Sequence, residues 1–254
     1  MVLLDTHYHF DFIESCSKQQ EMLSKLRKNE IALVAQTVKP SDFGKLLDQT
    51  QVLPSLGFHP WWIQSKEQVE AELQIFAKEL NQTSLIGEIG LDFSPKCLQQ
   101  VPKDLQLFVL KEIIEILQVN HSQQYILSIH TVRSASQVLE VLAKVDDHIV
   151  PIFHRFNGTS QELTQLIRLG GYVSIHPQMF ASKKGRAYIQ QVPADKILLE
   201  SDLPEPQELS SAGVQLAVQL QQTLTRTLAQ LSDLRQEDMK DMILANQIKL
   251  YGIT

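Results

Sequence analysis

The sequence has little cysteine, and its thiols show no pairing pattern. Cys16 and Cys97 are the only two cysteines, and they lie far apart without a CxxC spacing. A disulfide-stapled scaffold and a thiolate zinc site are therefore not expected. Two ordinary thiols are typical of a reducing compartment, so we expect this chain to work in the cytoplasm.

The sequence also lacks long apolar runs and an excess of basic residues. No run approaches the roughly 20 apolar residues that span a bilayer, and the first residues lack the basic and apolar stretches of a signal peptide. No membrane association is expected. The formal net charge of −6 argues against a broad basic surface for nucleic acid. Phosphate substrates are not excluded, because bound divalent cations would reverse the sign of the local electrostatic field.

What the 254 residues do contain is an alternation of short apolar runs and longer segments of helical periodicity. Eight runs are predicted as strands, at residues 2–6, 31–37, 52–58, 84–89, 125–129, 149–153, 171–175 and 196–200. The clearest helix is 104–119, and helices at 212–231 and 235–246 close the chain. Buried strands that alternate with helices indicate a parallel sheet covered by helices. Eight units favour a single-domain (β/α)8 TIM barrel over residues 1–254, with a doubly wound open sheet as the competing α/β fold.

Histidines and carboxylates follow the predicted strands at the ends where a barrel carries its chemistry. His7 and His9 lie two residues apart in an extended segment, so both imidazoles point the same way. Later strands end at or near further candidates. The full donor set is His7, His9, Glu88, His130, His154 and Asp202. Each residue alone has a structural explanation, as a helix or turn cap or as a hydrogen-bonded core histidine.

Taken together, these residues are typical of a site for two divalent metal ions. Imidazole and carboxylate suit zinc or manganese, magnesium remains compatible, and calcium is disfavoured. Glu88, between the histidine groups, is the natural bridging ligand. Such a metal pair would lower the pKa of a bridging water and produce hydroxide, and Asp202 would orient that water or accept its proton. We therefore expect a metal-dependent hydrolase with Glu88 and Asp202 as its catalytic carboxylates.

Five motifs resemble those of the TatD family of metal-dependent hydrolases, in the amidohydrolase-like superfamily. Residues 5–11 read DTHYHFD against DTHCHLD, 57–60 read GFHP against GxHP, and 87–93 read GEIGLDF against GEIGLDY; 153–158 read FHRFNG against FHCFSG, and 200–204 read ESDLP against ETDAP. The resemblance implies that His7, His9 and Asp202 hold one metal, that His130 and His154 hold the other, and that Glu88 bridges them.

The family includes magnesium- or manganese-dependent nucleases and phosphoesterases, and zinc-containing hydrolases. The resemblance therefore implies two ions of zinc, magnesium or manganese and a 3′–5′ exodeoxyribonuclease or phosphoesterase. Its substrate would be DNA ends or a small phosphodiester, and no obligate protein partner is indicated. His59 is expected to touch the leaving group or a phosphate, or else to support a metal ligand through a hydrogen bond. Trp61 and Trp62 are expected to stack on a base or pack the loop. Asp92 and Glu200 are expected to orient metal ligands.

The sequence departs from the family pattern near the expected substrate. Arg133 stands one residue later than the family's arginine after His130, and Arg155 stands where the family often has cysteine. Both arginines are candidates to clamp a phosphate, or to pair with a surface carboxylate. The segment after Asp202 is also shorter. Because of these departures, hydrolysis at carbon, as in an amide, lactone or aminoacyl-tRNA ester, remains an alternative. A non-catalytic interaction protein is a further alternative, but the complete donor set argues against it.

Overall fold

The protein is described by a computed structural model over residues 2–49 and 51–253. Its strands follow one another through one parallel sheet in sequence order. They are β1 (Leu3–Tyr8), β2 (Ile31–Gln36), β3 (Leu53–Phe58), β4 (Leu85–Asp92), β5 (Tyr125–Val132), β6 (Ile149–His154), β7 (Tyr172–Ile175) and β8 (Ile197–Leu199).

Helices alternate with these strands, and their starts follow from local sequence. They are α1 (Cys16–Lys28), α2 (Lys66–Glu79), α3 (Pro95–Leu98), α4 (Lys103–Gln118), α5 (Ala135–Leu142), α6 (Ser160–Arg168), α7 (Lys183–Gln191), α8 (Gly213–Arg235) and α9 (Lys240–Tyr251). Ser15, Ser65 and Thr159 cap α1, α2 and α6 by accepting a backbone hydrogen bond. The predicted (β/α)8 TIM barrel is confirmed.

Most strand ends differ from the prediction by one or two residues, but two strands run three residues further, and the last helix begins later than predicted. β4 and β5 continue to Asp92 and Val132 because these two strands stay paired beyond the predicted ends. Glu88 and His130 therefore lie within strands instead of closing them. The predicted last helix from Arg235 was wrong at its start. Arg235 is the final residue of α8, since Gln236 takes a left-handed conformation with φ 56° and ends that helix.

The described residues form two compact units. The first unit contains residues 2–35, 49, 51–53 and 173–253, with β1, β8 and most of β2 and β7. The second unit contains residues 36–48 and 54–172, with β4 to β6 and most of β3. The single domain expected from the sequence stays a prediction. Within residues 2–49 and 51–253, no helix combines the length and hydropathy that crossing a membrane requires.

In the first unit, α8 packs against α1 through buried leucines. The last helix is joined to the first strand by one side chain. Gln247 of α9 is 1% exposed, donates from Nε2 to Val2 O at 2.8 Å and accepts from Leu4 N at 2.9 Å. These bonds satisfy main-chain groups at the start of β1, which would otherwise lack partners in a buried setting.

In the second unit, β4 is buried along its whole length. The residues predicted to form an apolar face on the helix at 104–119 are Leu107, Leu110, Ile113, Ile114 and Leu117. α4 buries the last four of these together with Val109, whereas Leu107 is half-buried. Burying one such side chain stabilises a fold by about 1.5–3 kcal/mol. α4 packs against β4, the strand that carries Glu88.

Candidate metal centre

In the first unit, β1 and the segment after β8 bring together three predicted ligands, called here the His7 cluster: His7, His9 and Asp202. Asp202 Oδ1 lies 3.7 Å from His7 Nε2 and 3.4 Å from His9 Nε2. The backbone sets this arrangement, since Asp202 N donates to His7 O at 3.0 Å and His9 N donates to Leu203 O at 2.8 Å. These nitrogen–oxygen separations exceed ordinary hydrogen bonds and suit ligands of one ion.

Asp5 ties β1 to the segment after β8 from beneath the His7 cluster. Its Oδ1 accepts from His7 N at 3.0 Å and from Ser201 N at 3.1 Å, and its Oδ2 accepts from Ser201 Oγ. Burial raises the pKa of Asp5 to about 7, although the hydrogen bonds from Ser201 and His7 act in the opposite direction. No role was predicted for Asp5, which stood out in the sequence only as the first residue of the DTHYHFD motif.

In the second unit, four side chains form what we call the Glu88 cluster: Glu88, His59, His130 and His154. Glu88 Oε1 lies 2.8 Å from His154 Nε2, 2.9 Å from His130 Nδ1 and 3.5 Å from His59 Nε2. The facing nitrogens of His130 and His154 are 3.3 Å apart. Three imidazoles thus converge on one buried carboxylate oxygen.

A close approach of backbones positions Glu88. Glu88 N donates to Thr37 O at 2.9 Å, beside Gly57 of β3. A Cβ atom on Gly57 would lie 2.1 Å from that oxygen and 2.3 Å from Glu88 N, distances that real Cβ atoms do not reach. Only glycine fits there. The glycine of the GFHP motif therefore serves Glu88, while the histidine two residues later supplies a side chain to the same cluster.

Asp92 supports the outer face of His130. Asp92 Oδ2 lies 3.2 Å from His130 Nε2 and accepts from Trp61 Nε1 at 2.7 Å, while Oδ1 accepts from Ser94 N at 2.7 Å. Burial raises the pKa of Asp92, but the bonds from His130, Ser94 and Trp61 outweigh it and hold that pKa well below its usual range. The bond from Trp61 is a contact that sequence reasoning missed, because it expected this ring to stack or pack.

Burial and hydrogen bonding also have opposite effects on the pKa of His130. Burial lowers the pKa of His130, yet the hydrogen bonds to Asp92 and Glu88 raise it above its ordinary value. A bond between the outer nitrogen of a histidine and a carboxylate is the usual support of a metal-binding histidine. The role of Asp92 in orienting a metal ligand stays a prediction.

The remaining predicted residues lie directly after strands. Arg133 is exposed and follows β5, and Arg155 is half-buried and follows β6. Both take left-handed conformations, with φ 56° and 45°, as does Asp202 with φ 58°. Such conformations cost a side-chain-bearing residue of order 1–3 kcal/mol and cluster at functional sites. The phosphate clamp expected of the two arginines stays a prediction.

Glu200 and Trp62 complete the set of residues with predicted roles. Glu200 is fully buried and accepts a hydrogen bond from Ser174 Oγ, and its expected role in orienting a ligand stays a prediction. Trp62 is 39% exposed, and the Lys39 ammonium lies 5.6 Å from its ring centroid. Trp62 therefore presents part of its ring to solvent, whereas the Trp61 indole is held by Asp92.

The donor chemistry of both clusters fits divalent metal ions. Two imidazole nitrogens that face each other at 3.3 Å beside a carboxylate oxygen form a donor group that a divalent cation can bind. Nitrogen and oxygen donors without thiolate suit zinc, manganese or magnesium. Each unit therefore contains a candidate metal-binding group.

Comparison with known proteins identifies the family. A sequence model described as "TatD related DNase" matches residues 4–252. The chain belongs to the TatD family. It is therefore a metal-dependent hydrolase, which confirms the family and the enzyme class predicted from the sequence.

Several TatD proteins resemble this chain along its length. Human deoxyribonuclease TATDN3 is 26% identical over 219 residues, which cover 80% of this chain and 78% of the human protein. The uncharacterized metal-dependent hydrolase YabD of Bacillus subtilis is 23% identical and covers 99% of this chain and 100% of its own. The crystal structure of YjjV, a TatD homolog from Escherichia coli, matches with a TM-score of 0.78 at 21% identity, covering 99% and 98% of the two chains. This likeness supports the barrel fold.

Proposed function

We propose that this TatD hydrolase cleaves phosphodiester bonds, at DNA ends or in small phosphodiesters. The proposal assigns His7, His9 and Asp202 to one divalent ion. It assigns Glu88, His130 and His154 to a second. The observation that carries it is the convergence of three imidazole nitrogens on Glu88 Oε1 within 3.5 Å. Family membership and the deoxyribonuclease name of the human relative favour phosphodiesters as substrates.

Divalent ions in such sites polarise a phosphoryl oxygen and lower the pKa of water toward neutrality. Side chains of the protein orient the ligands and accept a proton. Asp92 holds His130 by Nε2, so that Nδ1 faces Glu88. Asp202 is the carboxylate that accepts the proton of the attacking water.

His59 has a distinct role in this proposal. Its Nδ1 accepts a hydrogen bond from Trp61 N at 3.1 Å, so the neutral ring carries its proton on Nε2. That Nε2 lies 3.5 Å from Glu88 Oε1. His59 therefore presents a donor to the cluster, and we assign it to the leaving-group or phosphate oxygen. Arg133 and Arg155 are assigned to the phosphate on the same chemical grounds.

The test is hydrolysis by the metal-loaded protein. It is loaded with Mn²⁺, Mg²⁺ or Zn²⁺ and assayed on a phosphodiester reporter, single-stranded DNA, and a panel of esters and lactones. Glu88→Ala and Asp202→Ala should abolish activity while circular dichroism stays unchanged. Glu70→Gln, an exposed carboxylate on α2, is the matched control.

Two results would contradict the proposal. Full activity of either alanine variant would remove the site assignment. Turnover of esters or lactones with inert DNA and reporter would replace phosphodiester hydrolysis with attack at carbon, which the same metal chemistry permits.

A further inference from the structure

Three metal-ligating side chains gather at the opposite ends of β5 and β6 from His130 and His154. His121 lies in the loop between α4 and β5, and Asp146 and His148 lie in the segment that precedes β6. One ligand atom from each of these residues lies within 4.8 Å of the others. All three residues belong to the second unit. The six residues from His148 to His154 span about 20 Å of extended chain, so this group is remote from the Glu88 cluster.

We propose that His121, Asp146 and His148 bind a divalent transition-metal ion, with zinc as the physiological class. Two imidazoles and one carboxylate form a donor set that zinc and copper bind through three protein ligands, with water completing the coordination. Donors bound to tetrahedral zinc at about 2.0–2.2 Å lie about 3.3–3.6 Å apart. His121 and Asp146 are both exposed, so small side-chain rotations close the remaining separation.

The hydrogen bonding of His148 favours this assignment. His148 Nε2 lies 3.1 Å from Leu117 O, at the carboxyl-terminal end of α4. A carbonyl oxygen only accepts, so Nε2 carries the proton and Nδ1 keeps its lone pair. A histidine that donates one N–H to a backbone carbonyl and offers the other nitrogen is the usual arrangement in metal sites. The structure thus fixes the tautomer that coordination requires.

The two rings are already next to each other. The centroids of His121 and His148 are 4.5 Å apart, with their planes inclined by 52°. His148 is held from below by Tyr125, the buried first residue of β5, whose ring centroid is 6.2 Å away. The main chain adds a further tie, since Tyr125 N donates to His148 O at 2.7 Å. One of the two imidazoles is therefore rigidly placed, and the other lies on a short loop beside it.

Binding here would join the loop after α4 to the turn before β6. Such a site would stabilise the amino ends of β5 and β6, because any ligand bound only by the folded chain shifts the unfolding equilibrium. This inference does not rest on the proposed phosphodiesterase activity. The two fail separately, since each is tested by its own variants.

The experiment counts Zn²⁺ ions bound by the metal-stripped full chain, using isothermal titration. The wild type is compared with His121→Asn, Asp146→Asn and the control Asp147→Asn, which alters the exposed neighbouring carboxylate. We expect His121→Asn to bind one Zn²⁺ fewer than the wild type, Asp146→Asn to bind that ion more weakly, and Asp147→Asn to match the wild type. Thermal unfolding without metal shows that each variant folds.

A second measurement is the rise in thermal midpoint that Zn²⁺ causes. It should be smaller in His121→Asn than in Asp147→Asn, while hydrolytic activity per molecule stays the same in both. Equal Zn²⁺ stoichiometry in His121→Asn and wild type would overturn the proposal. So would equal loss of the ion in Asp146→Asn and Asp147→Asn, because general surface charge would then explain it.

Discussion

Trp61 donates its indole N–H to Asp92 Oδ2 at 2.7 Å, the same oxygen that lies 3.2 Å from His130 Nε2. The two aromatic donors share one carboxylate that is 3% exposed. A tryptophan that the sequence suggested as a base-stacking surface therefore also helps to place a histidine of the Glu88 cluster.

Replacing Trp61 should cost stability, whereas replacing its neighbour should not. Trp61→Phe removes a hydrogen bond to a buried carboxylate, and we expect the free energy of unfolding to fall by about 1.5–3 kcal/mol. Trp62→Phe, at the more exposed ring, should stay within about 0.5 kcal/mol of the wild type. Urea unfolding of both variants measures the difference. Equal effects would show that ring packing, and not the bond to Asp92, matters here.

Asp92→Asn should weaken metal binding without unfolding the protein. Asparagine keeps the shape of the side chain but loses the charge beside His130 Nε2, and losses of this kind lower metal affinity about 10–100-fold. Titration of the metal-stripped protein with Mn²⁺ gives the affinity. Asp104→Asn, at an exposed carboxylate in the first turn of α4, is the control. An unchanged affinity in Asp92→Asn would contradict its orienting role.

Arg133 has a strained backbone conformation and a proposed contact with the substrate. Replacing it with glycine relieves the strain and removes the contact, and the two effects are measured separately as stability and KM. Arg133→Gly relieves a left-handed residue with φ 56°, so stability should rise by about 0.5 kcal/mol once the added freedom of the unfolded chain is counted. Loss of the guanidinium should raise KM for a phosphodiester about tenfold. Glu30→Gly, at φ 53°, matches the backbone change alone and should leave KM unchanged. An unaltered KM in Arg133→Gly would remove this arginine from the substrate contacts.

The two cysteines should react differently with thiol reagents. Cys97 is buried, and burial together with the charge of Asp92 raises its pKa to about 11, so almost none of it is thiolate at pH 8. Cys16 is exposed. Native protein should therefore react quickly at one thiol and denatured protein at two. Rapid labelling of native Cys16→Ser would contradict the burial of Cys97.

The start of α6 offers a pH-dependent test of stability. Thr159 N donates to Glu162 Oε2 at 2.6 Å, and Glu162 N donates to Thr159 Oγ1 at 3.2 Å. Burial raises the pKa of Glu162, but bonds from Ser136 and Thr159 outweigh it and lower the pKa below its ordinary value. A lowered folded-state pKa adds stability above the unfolded pKa, and that stability disappears as pH falls through the folded value.

Glu162→Gln should therefore cost about 0.5–1 kcal/mol at pH 7 and less near pH 3. Urea unfolding at the two pH values measures both figures. Glu140→Gln, at an exposed position of α5, should show no such dependence. A cost that is the same at both pH values would mean that the charge of Glu162 does not contribute.

The sequence predicted the alternation of strands and helices because each strand is buried and each helix has an apolar face. It also singled out the histidines and carboxylates that the two clusters bring together, since polar residues that follow apolar runs stand out. Strand ends were harder to predict. β4 runs on to Asp92 because Leu91 pairs with Thr131 and Asp92 with Val132, and pairing partners are invisible in one segment read alone.

Hydrogen bonds between residues far apart in the sequence were also not predicted. Ser201 and Asp5 are 196 positions apart, yet the serine donates to the aspartate twice. Trp61 and Asp92 are 31 apart. Neither pair leaves a local pattern in the sequence, because a hydrogen bond across the fold depends on strand order and backbone placement and not on spacing. The hydrogen bonds that hold the two clusters in place were therefore harder to predict from the sequence than the residues of the clusters.

The two hydrogen bonds between Gln247 and the start of β1 join parts of the chain that are synthesised far apart in time. Leu4 N and Val2 O are synthesised more than two hundred residues before the side chain that bonds to them. The start of β1, the strand that carries His7, therefore gains these two hydrogen bonds only after α9 has been synthesised. Chains truncated before Gln247 should leave Leu4 N and Val2 O without these bonds and should hold the first strand less firmly.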